Sequence, residues 1–310
     1  MGPQEPGGEA VERWFERLAG EHSGSPNTRR AYGLWLRRFC GFVKMSPDEL
    51  VERRRRELEA KDEAVRRRME ERLTAWFNHL QRREGLRRSS AAFAHAAVRS
   101  FFTANYLPLK VKAPQSWTET ASRVPSREEL RAMCDLADPR GRAYVLCQAQ
   151  SGLSEADLLA LTYGAVKTEL EAGKRPVYLR LRRQKTQGWF ETFLGRDACS
   201  ALQAYFQEDG KPSAEERVFP ISDRTARRLV TGLAAEAGVD GQITCHSLRK
   251  WFNTMAKLAG VNEAVVEYMM GHSLGRLRVA YFIPPRPELE RAYLKAEPYL
   301  SPYGPERPVR

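Results

Sequence analysis

Residues 246–282, "HSLRKWFNTMAKLAGVNEAVVEYMMGHSLGRLRVAYF", decide how the chain is read. Leu248, Phe252, Met255 and Ala259 recur at helical spacing and form an apolar stripe, while His246, Arg249 and Asn253 fall at i, i+3 and i+7 on another face. A second helix runs through "VNEAVVEYMM" and stops at Gly271, the residue that suits the turn after a helix end, so His272 stands just outside it. Tyr281 follows nine residues later, inside "RVAYFIPP". Taken singly, these residues have ordinary explanations. A histidine near a helix start is a cap or a surface group, and a tyrosine among Val, Ala and Phe is a core residue with a bonded hydroxyl. Together they put two imidazoles, a guanidinium and a phenol into one short segment.

Upstream, "RPVYLRLRRQKTQGWFETFL" (175–194) alternates apolar and polar residues about Gln187-Gly188, which predicts two strands joined by a turn. Ser126 to Glu129 is a capping box opening a helix through Leu136, and "GRAYVLCQAQSG" (141–152) reads as a buried helix closed by Gly152. "DACSALQAYFQ" and "SDRTARRLVTGLAAEAG" supply further helices. The C-terminal part, 126–310, is therefore expected to be mostly helical with a small antiparallel sheet.

The first part carries helical patterns throughout. Val11, Trp14, Phe15 and Leu18 form one stripe, and Tyr32, Trp35, Leu36 and Phe39 form another, capped from Ser25 or Asn27. Ser46-Pro47-Asp48-Glu49 is a second capping box. In "VERRRRELEAKDEAVRRRMEERL" (51–73), Glu52/Arg56, Glu57/Lys61, Asp62/Arg66 and Glu63/Arg67 are i,i+4 acid–base pairs, so a solvated helix face is expected rather than a nucleic-acid patch. Leu73, Trp76, Phe77 and Leu80 then return to a buried stripe, and a last helix is centred on Phe93, Ala97 and Phe101. Residues 108–125 contain Pro108, Pro114, Pro125, Lys110 and Lys112 without a sustained period, which predicts an extended linker. The expected organisation is a flexible N-terminus at 1–10, a helical domain at 11–107, the linker at 108–125 and a second domain at 126–310.

Lys and Arg number 51 against 39 Asp and Glu, a formal charge of +12 over 310 residues, which favours an anionic partner and nucleic acid first. A membrane surface would also attract that charge, but no uncharged apolar run reaches spanning length and the start is neither a signal peptide nor a myristoylation site. Cys40, Cys134, Cys147, Cys199 and Cys245 are scattered without a C-x-x-C pair and read as reduced, mostly buried thiols. A cytoplasmic, nucleoid-associated protein follows as the expectation.

With these residues on view, the chain resembles the tyrosine recombinases, or phage-type integrases. "HSLR" is similar to the family's H-x-L-R, "MGHS" to its L-G-H-S, and a tyrosine stands nine residues after that second histidine. "SGLSEADLLALTYGAV" resembles the family's T-G-L-R-x-x-E-L-L segment, "RRQKTQGWFETFL" its lysine-bearing hairpin, and "SPNTRRAYGLWLRRFCGF" the start of its core-binding domain, so the likeness runs from about residue 10 to 285. It implies a mainly α, α+β architecture. A SAM-like helical core-binding bundle would precede a catalytic domain of the DNA breaking-rejoining type. It also implies double-stranded DNA as partner, a homotetramer on DNA, and no cofactor, metal, membrane or small-molecule substrate. Tyr281 would attack a DNA phosphate and leave a 3′-phosphotyrosyl link. Arg249 would clamp the phosphate oxygens, His246 and His272 would hydrogen-bond or move protons there, and Lys185 would protonate the leaving 5′-oxygen. Arg29, Arg30, Lys110, Lys112, Arg182 and Arg183 are the expected backbone contacts on DNA. By the same analogy the tail "RPELERAYLKAEPYLSPYG" would dock on a neighbouring subunit.

One position departs from the pattern. Ser154 stands where the family's first catalytic arginine belongs, and Ser154-Glu155-Ala156-Asp157 reads as a capping box instead. The sequence leaves open whether turnover is lost or whether Arg140, Arg142, Arg180, Arg182 or Arg183 reaches the phosphate. The competing expectations are a working recombinase or integrase, a catalytically impaired DNA-binding protein of the same fold, and a type IB topoisomerase-like enzyme.

Overall fold

The structure is a computed structural model that describes residues 7–21, 26–115, 123–239, 241–272 and 282–304. The chain divides into two compact units, Met1–Ala121 and Ser122–Arg310, each with its own core.

The first unit is helical: α1 (Glu9–Glu21), α2 (Pro26–Val43), α3 (Pro47–Glu59), α4 (Glu63–Arg66), α5 (Arg68–Arg82) and α6 (Arg88–Ala104). The box at Ser46 forms as expected. Its hydroxyl accepts from the Glu49 amide at 3.3 Å, and the Glu49 carboxylate accepts from the Ser46 amide at 2.7 Å. The residue before α2, Ser25, lies outside the described residues. Trp14, Leu36, Phe39, Leu73, Trp76, Leu80 and Phe101 fill the core. Leu107 and Leu109 are buried in it too, so the start of the expected linker is packed down. Phe93 is not at the centre of its helix packing; it is exposed, while Ala97 and Phe101 are buried.

The charged run at 51–73 corrects the expectation of one solvated face. Glu52–Arg56 and Glu63–Arg67 do pair on the surface, at 3.2 and 2.8 Å. The helix breaks at Ala60–Asp62, however, so Lys61 falls beyond the helix that carries Glu57, and Asp62 turns its carboxylate to the Ala64 amide at 2.9 Å as the cap of α4. The break folds one edge of the run inward: Arg54 is 1 % exposed and forks onto Glu70, with its Nη1 also donating to the Arg66 carbonyl at 2.7 Å. Glu57 is buried between Arg53 and Arg72.

His95 on α6 is buried with the edge of its ring against Phe77, and its Nδ1 has no hydrogen-bond partner among the described residues. Burial, and then the charge of Arg99, pushes its pKa down to about 4. The unfolded chain therefore takes up this proton first. Stability is full above pH 6.5 and falls as the pH drops from there toward 4. Each pH unit is worth about 1.4 kcal/mol, with roughly 3 kcal/mol as the ceiling before solvent screening. Urea melts of the protein between pH 7 and 4 should show this loss, and His95→Leu should flatten it.

The second unit comprises α7 (Arg127–Leu136), α8 (Pro139–Ser151), α9 (Glu155–Leu159), α10 (Gly164–Glu171), β1 (Val177–Arg182), β2 (Trp189–Leu194), α11 (Arg196–Asp209), α12 (Asp223–Glu236), α13 (Cys245–Leu258), α14 (Glu263–Met269) and α15 (Arg286–Leu300). It is mostly helical with one antiparallel hairpin in the register Val177↔Leu194 to Arg182↔Trp189. The turn is built where expected, with Gln187 in the left-handed region and Arg183 and Gly188 sharing a backbone bond of 2.8 Å. Helix α8 is buried on all sides from Ala143 to Ser151 and is packed by α7, α11 and α13.

Helix α15, the segment expected to dock on a neighbour, contributes one face to this unit's own core. Leu289, Tyr293, Ala296 and Leu300 form an inward stripe. The Tyr293 hydroxyl donates to the Gln150 carbonyl at 2.8 Å, and Trp251 Nε1 donates to the Leu300 carbonyl at 3.2 Å.

Gly152, the cap of α8, is left-handed with φ 67°, and a Cβ there would enter the ring of Phe252 on α13. Gly152→Ala should cost about 1 kcal/mol for the backbone and 1–3 kcal/mol more for the overlap, read as a lower denaturation midpoint for the second unit.

Candidate functional site

The site assembles where three helix ends meet. The turn after α14 is a Schellman motif: the His272 amide donates to the Glu267 carbonyl at 3.0 Å and the Gly271 amide to the Tyr268 carbonyl at 2.9 Å. That closure carries His272 back over Glu267, whose carboxylate meets its Nδ1. Glu267 is itself held by Asn253 Nδ2 at 3.1 Å and Lys257 Nζ at 3.5 Å.

Arg249 sits one turn into α13, a helix capped by Thr244. It is 5 % exposed, and its donors are answered by the Gly152 carbonyl, by the Met270 carbonyl at 2.6 Å and by His272 Nε2 at 2.7 Å. Gly152 and Met270 are the caps of α8 and α14, so two helix C-termini turn their partial negative charge on this guanidinium. Burial first, then the like charge of Arg183, lowers its pKa to about 10. It remains a cation at neutral pH. Arginine has no lone pair to offer, so the contact fixes His272 Nε2 as acceptor and puts the ring proton on Nδ1, toward Glu267.

His246 is exposed at the start of α13 and makes no hydrogen bond among the described residues. Lost hydration first, then Lys250, Arg249 and His272, holds its pKa below the usual histidine value, so it is neutral at pH 7. Lys185 is exposed in the hairpin turn. Tyr281 lies outside the described residues; the chain is described again from Phe282. Phe282, His272, Gly271, Arg183, Tyr268 and Phe190 line a pocket of about 450 Å³.

At Ser154 half of the expected box is present. Its hydroxyl accepts from the Asp157 amide at 3.3 Å, but the Asp157 carboxylate turns elsewhere. It takes the Ser154 hydroxyl at 2.6 Å, the Gln184 amide at 2.9 Å and the guanidinium of Arg183. A charged donor outcompetes a single backbone amide. Of the expected DNA contacts, Arg29, Arg30, Lys110 and Lys112 are exposed on the first unit, with Arg29 over the Phe15 ring at 4.4 Å. Arg182 is exposed on the hairpin, its Nε on the Gln187 carbonyl at 3.0 Å, while Arg183 is largely buried.

Sequence reasoning missed Asp157 and Glu267 as members of the cluster. Asp157 had a signal, a carboxylate at the acidic position of "SGLSEADLL"; Glu267 had none, because its contact depends on the chain reversal at Gly271. Long-range nitrogen–proton NMR at pH 7.5 should find His272 as the Nδ1-protonated tautomer. The Nε2-protonated tautomer would mean that Arg249 does not donate to the ring.

Residues 126–282 match the phage integrase family, which is half of the chain. The tyrosine recombinase XerC of Leptospira interrogans serogroup Icterohaemorrhagiae serovar copenhageni is 22 % identical over 94 % of this chain and 94 % of its own. The tyrosine recombinase XerD of Caulobacter vibrioides is 27 % identical over 86 % of this chain and 89 % of its own. A lambda integrase tetramer bound to a Holliday junction has the same fold, with a TM-score of 0.62 at 14 % identity over 88 % of this chain and 76 % of that one. The fold and the matched segment lead to one conclusion: the chain belongs to the phage integrase family, the tyrosine recombinases.

Proposed function

We propose that this protein is a site-specific DNA recombinase that cuts and rejoins strands through a covalent 3′-phosphotyrosyl intermediate. The observation that carries the reading is the cluster of buried Arg249 with His272 and Glu267 beside a pocket whose wall includes Phe282, the residue after Tyr281. The Tyr281 oxygen attacks phosphorus, the bond from phosphorus to the 5′-oxygen breaks, and the phenol proton passes to neutral His246. Lys185 gives a proton to the leaving 5′-oxygen, so charge balances across the step. A phosphate oxygen arriving at the cluster takes the Arg249 N–H now given to His272 Nε2. Attack by a second strand's 5′-hydroxyl reverses the step, so bond energy is kept and no ATP is consumed.

The helical first unit acts as the core-binding clamp, with Arg29, Arg30, Lys110 and Lys112 on backbone phosphates, and Arg182 and Arg183 serve the hairpin side. A tetramer on two duplexes, working among the cell's DNA in the cytoplasm, completes the reading. No described helix is long and apolar enough to cross a membrane.

Ser154 favours a second reading, a DNA-binding protein without turnover. A nicked suicide duplex carrying the cognate site separates the two on a denaturing gel. The recombinase gives a covalent band that Tyr281→Phe abolishes; binding that weakens steeply with salt, without any band, identifies the silent binder.

A further inference from the structure

The position left by the missing first arginine is not left without a cation. We infer that Arg183, reaching in from the end of β1, supplies the second guanidinium of the phosphate clamp that Ser154 cannot provide. This rests on the recombinase reading above.

Three contacts aim Arg183 at the site. Its Nη1 is bound to the Asp157 carboxylate, and the same nitrogen lies 3.4 Å from the Met270 carbonyl. That carbonyl is the one that accepts from Arg249 Nη2 at 2.6 Å, so one oxygen sits against both guanidiniums. The stem of Arg183 runs over Gly271, where a Cβ would meet Arg183 Cδ at 3.0 Å; only glycine at that left-handed position lets the arginine pass so close to His272. The side chain is 12 % exposed, yet it lines the pocket beside His272. Its Nε and Nη2 groups carry no hydrogen bond among the described residues, which leaves the Nε/Nη2 edge of the fork for an oxyanion.

Ser154 takes a place in this arrangement. Its hydroxyl holds the Asp157 oxygen to which Arg183 is also bound, so the small residue supports the arginine that replaces a larger one. The other candidates are committed elsewhere. Arg142 lies ten residues, about 15 Å, back along α8 from the Gly152 end, and its Nε donates to the Cys134 carbonyl at 2.8 Å. Arg140 lines a separate pocket with Asp138, Glu208 and Asp209. Arg180 lies 3.8 Å from Glu191 and stacks on Trp189 at 5.2 Å, and Arg182 is exposed at the turn with its Nε on the Gln187 carbonyl.

The test compares cleavage of two suicide duplexes, one with an ordinary phosphodiester at the scissile position and one with a neutral methylphosphonate. Wild type is set beside Arg183→Ala and Arg183→Lys. A group that neutralises a non-bridging oxygen matters little once that charge is gone. Arg183→Ala should slow cleavage of the phosphodiester on the order of 10²–10³-fold, and the methylphosphonate less than about tenfold. Arg183→Lys keeps a cation on Asp157 but loses the fork, and should slow the phosphodiester roughly tenfold or more; it carries the test if the alanine variant does not fold. Wild-type rates in either variant, or the same loss on both substrates, would overturn the assignment and leave the recombinase reading standing. A wild-type protein that cleaves neither duplex would overturn both.

Discussion

A guanidinium can be taken out of water only if its N–H groups are answered, and the second unit is organised around that requirement at Arg249. Two helix caps, Gly152 and Met270, present carbonyls to it, and His272 presents a ring nitrogen. Each answer carries its own condition. Gly152 must be left-handed and bare so that Phe252 can press against it, and Gly271 must be so to turn His272 back over Glu267. The apolar contacts of α8, α13 and α14 hold those caps in place. Core packing and site geometry are thus one construction, in which burial strengthens the electrostatics of the cation it isolates.

Much of this was legible in the sequence, and the reasons are local. Capping boxes at Ser46 and Ser126, the helix stop at Gly271 and the alternation around Gln187-Gly188 each follow from chemistry within a few residues, and each is found in the structure. The two histidines, the arginine and the tyrosine could be picked out because their spacing is shared with a family. What was not legible depends on chain reversal or on distant partners. The turn at Ala60–Asp62 sends Arg54 onto Glu70, although four-residue spacing alone argued for a solvated face. Asp157 reads locally as half of a cap, and only the fold brings Arg183 across to take its carboxylate. The terminal helix, expected by analogy to dock on a neighbouring subunit, likewise shows its contacts to Trp251 and Gln150 only in the fold.

Charge in this chain therefore has two uses that composition cannot separate. Arg29, Arg30, Lys110 and Lys112 are exposed, as an excess of +12 would suggest. Arg54, Arg183 and Arg249 are buried or nearly so, and each is fixed by carboxylates or carbonyls of its own unit. The first group attracts an anion from a distance; the second is held in a set geometry.

Helix α15 carries a practical consequence. Because Tyr293 and Leu300 satisfy hydrogen-bonding groups of α8 and α13, the last described helix is a structural stave rather than a detachable tail. Trimming the gene after residue 285 would bare Trp251 and strand the Gln150 carbonyl, yielding insoluble material, whereas a reporter appended beyond Gly304 leaves those bonds untouched.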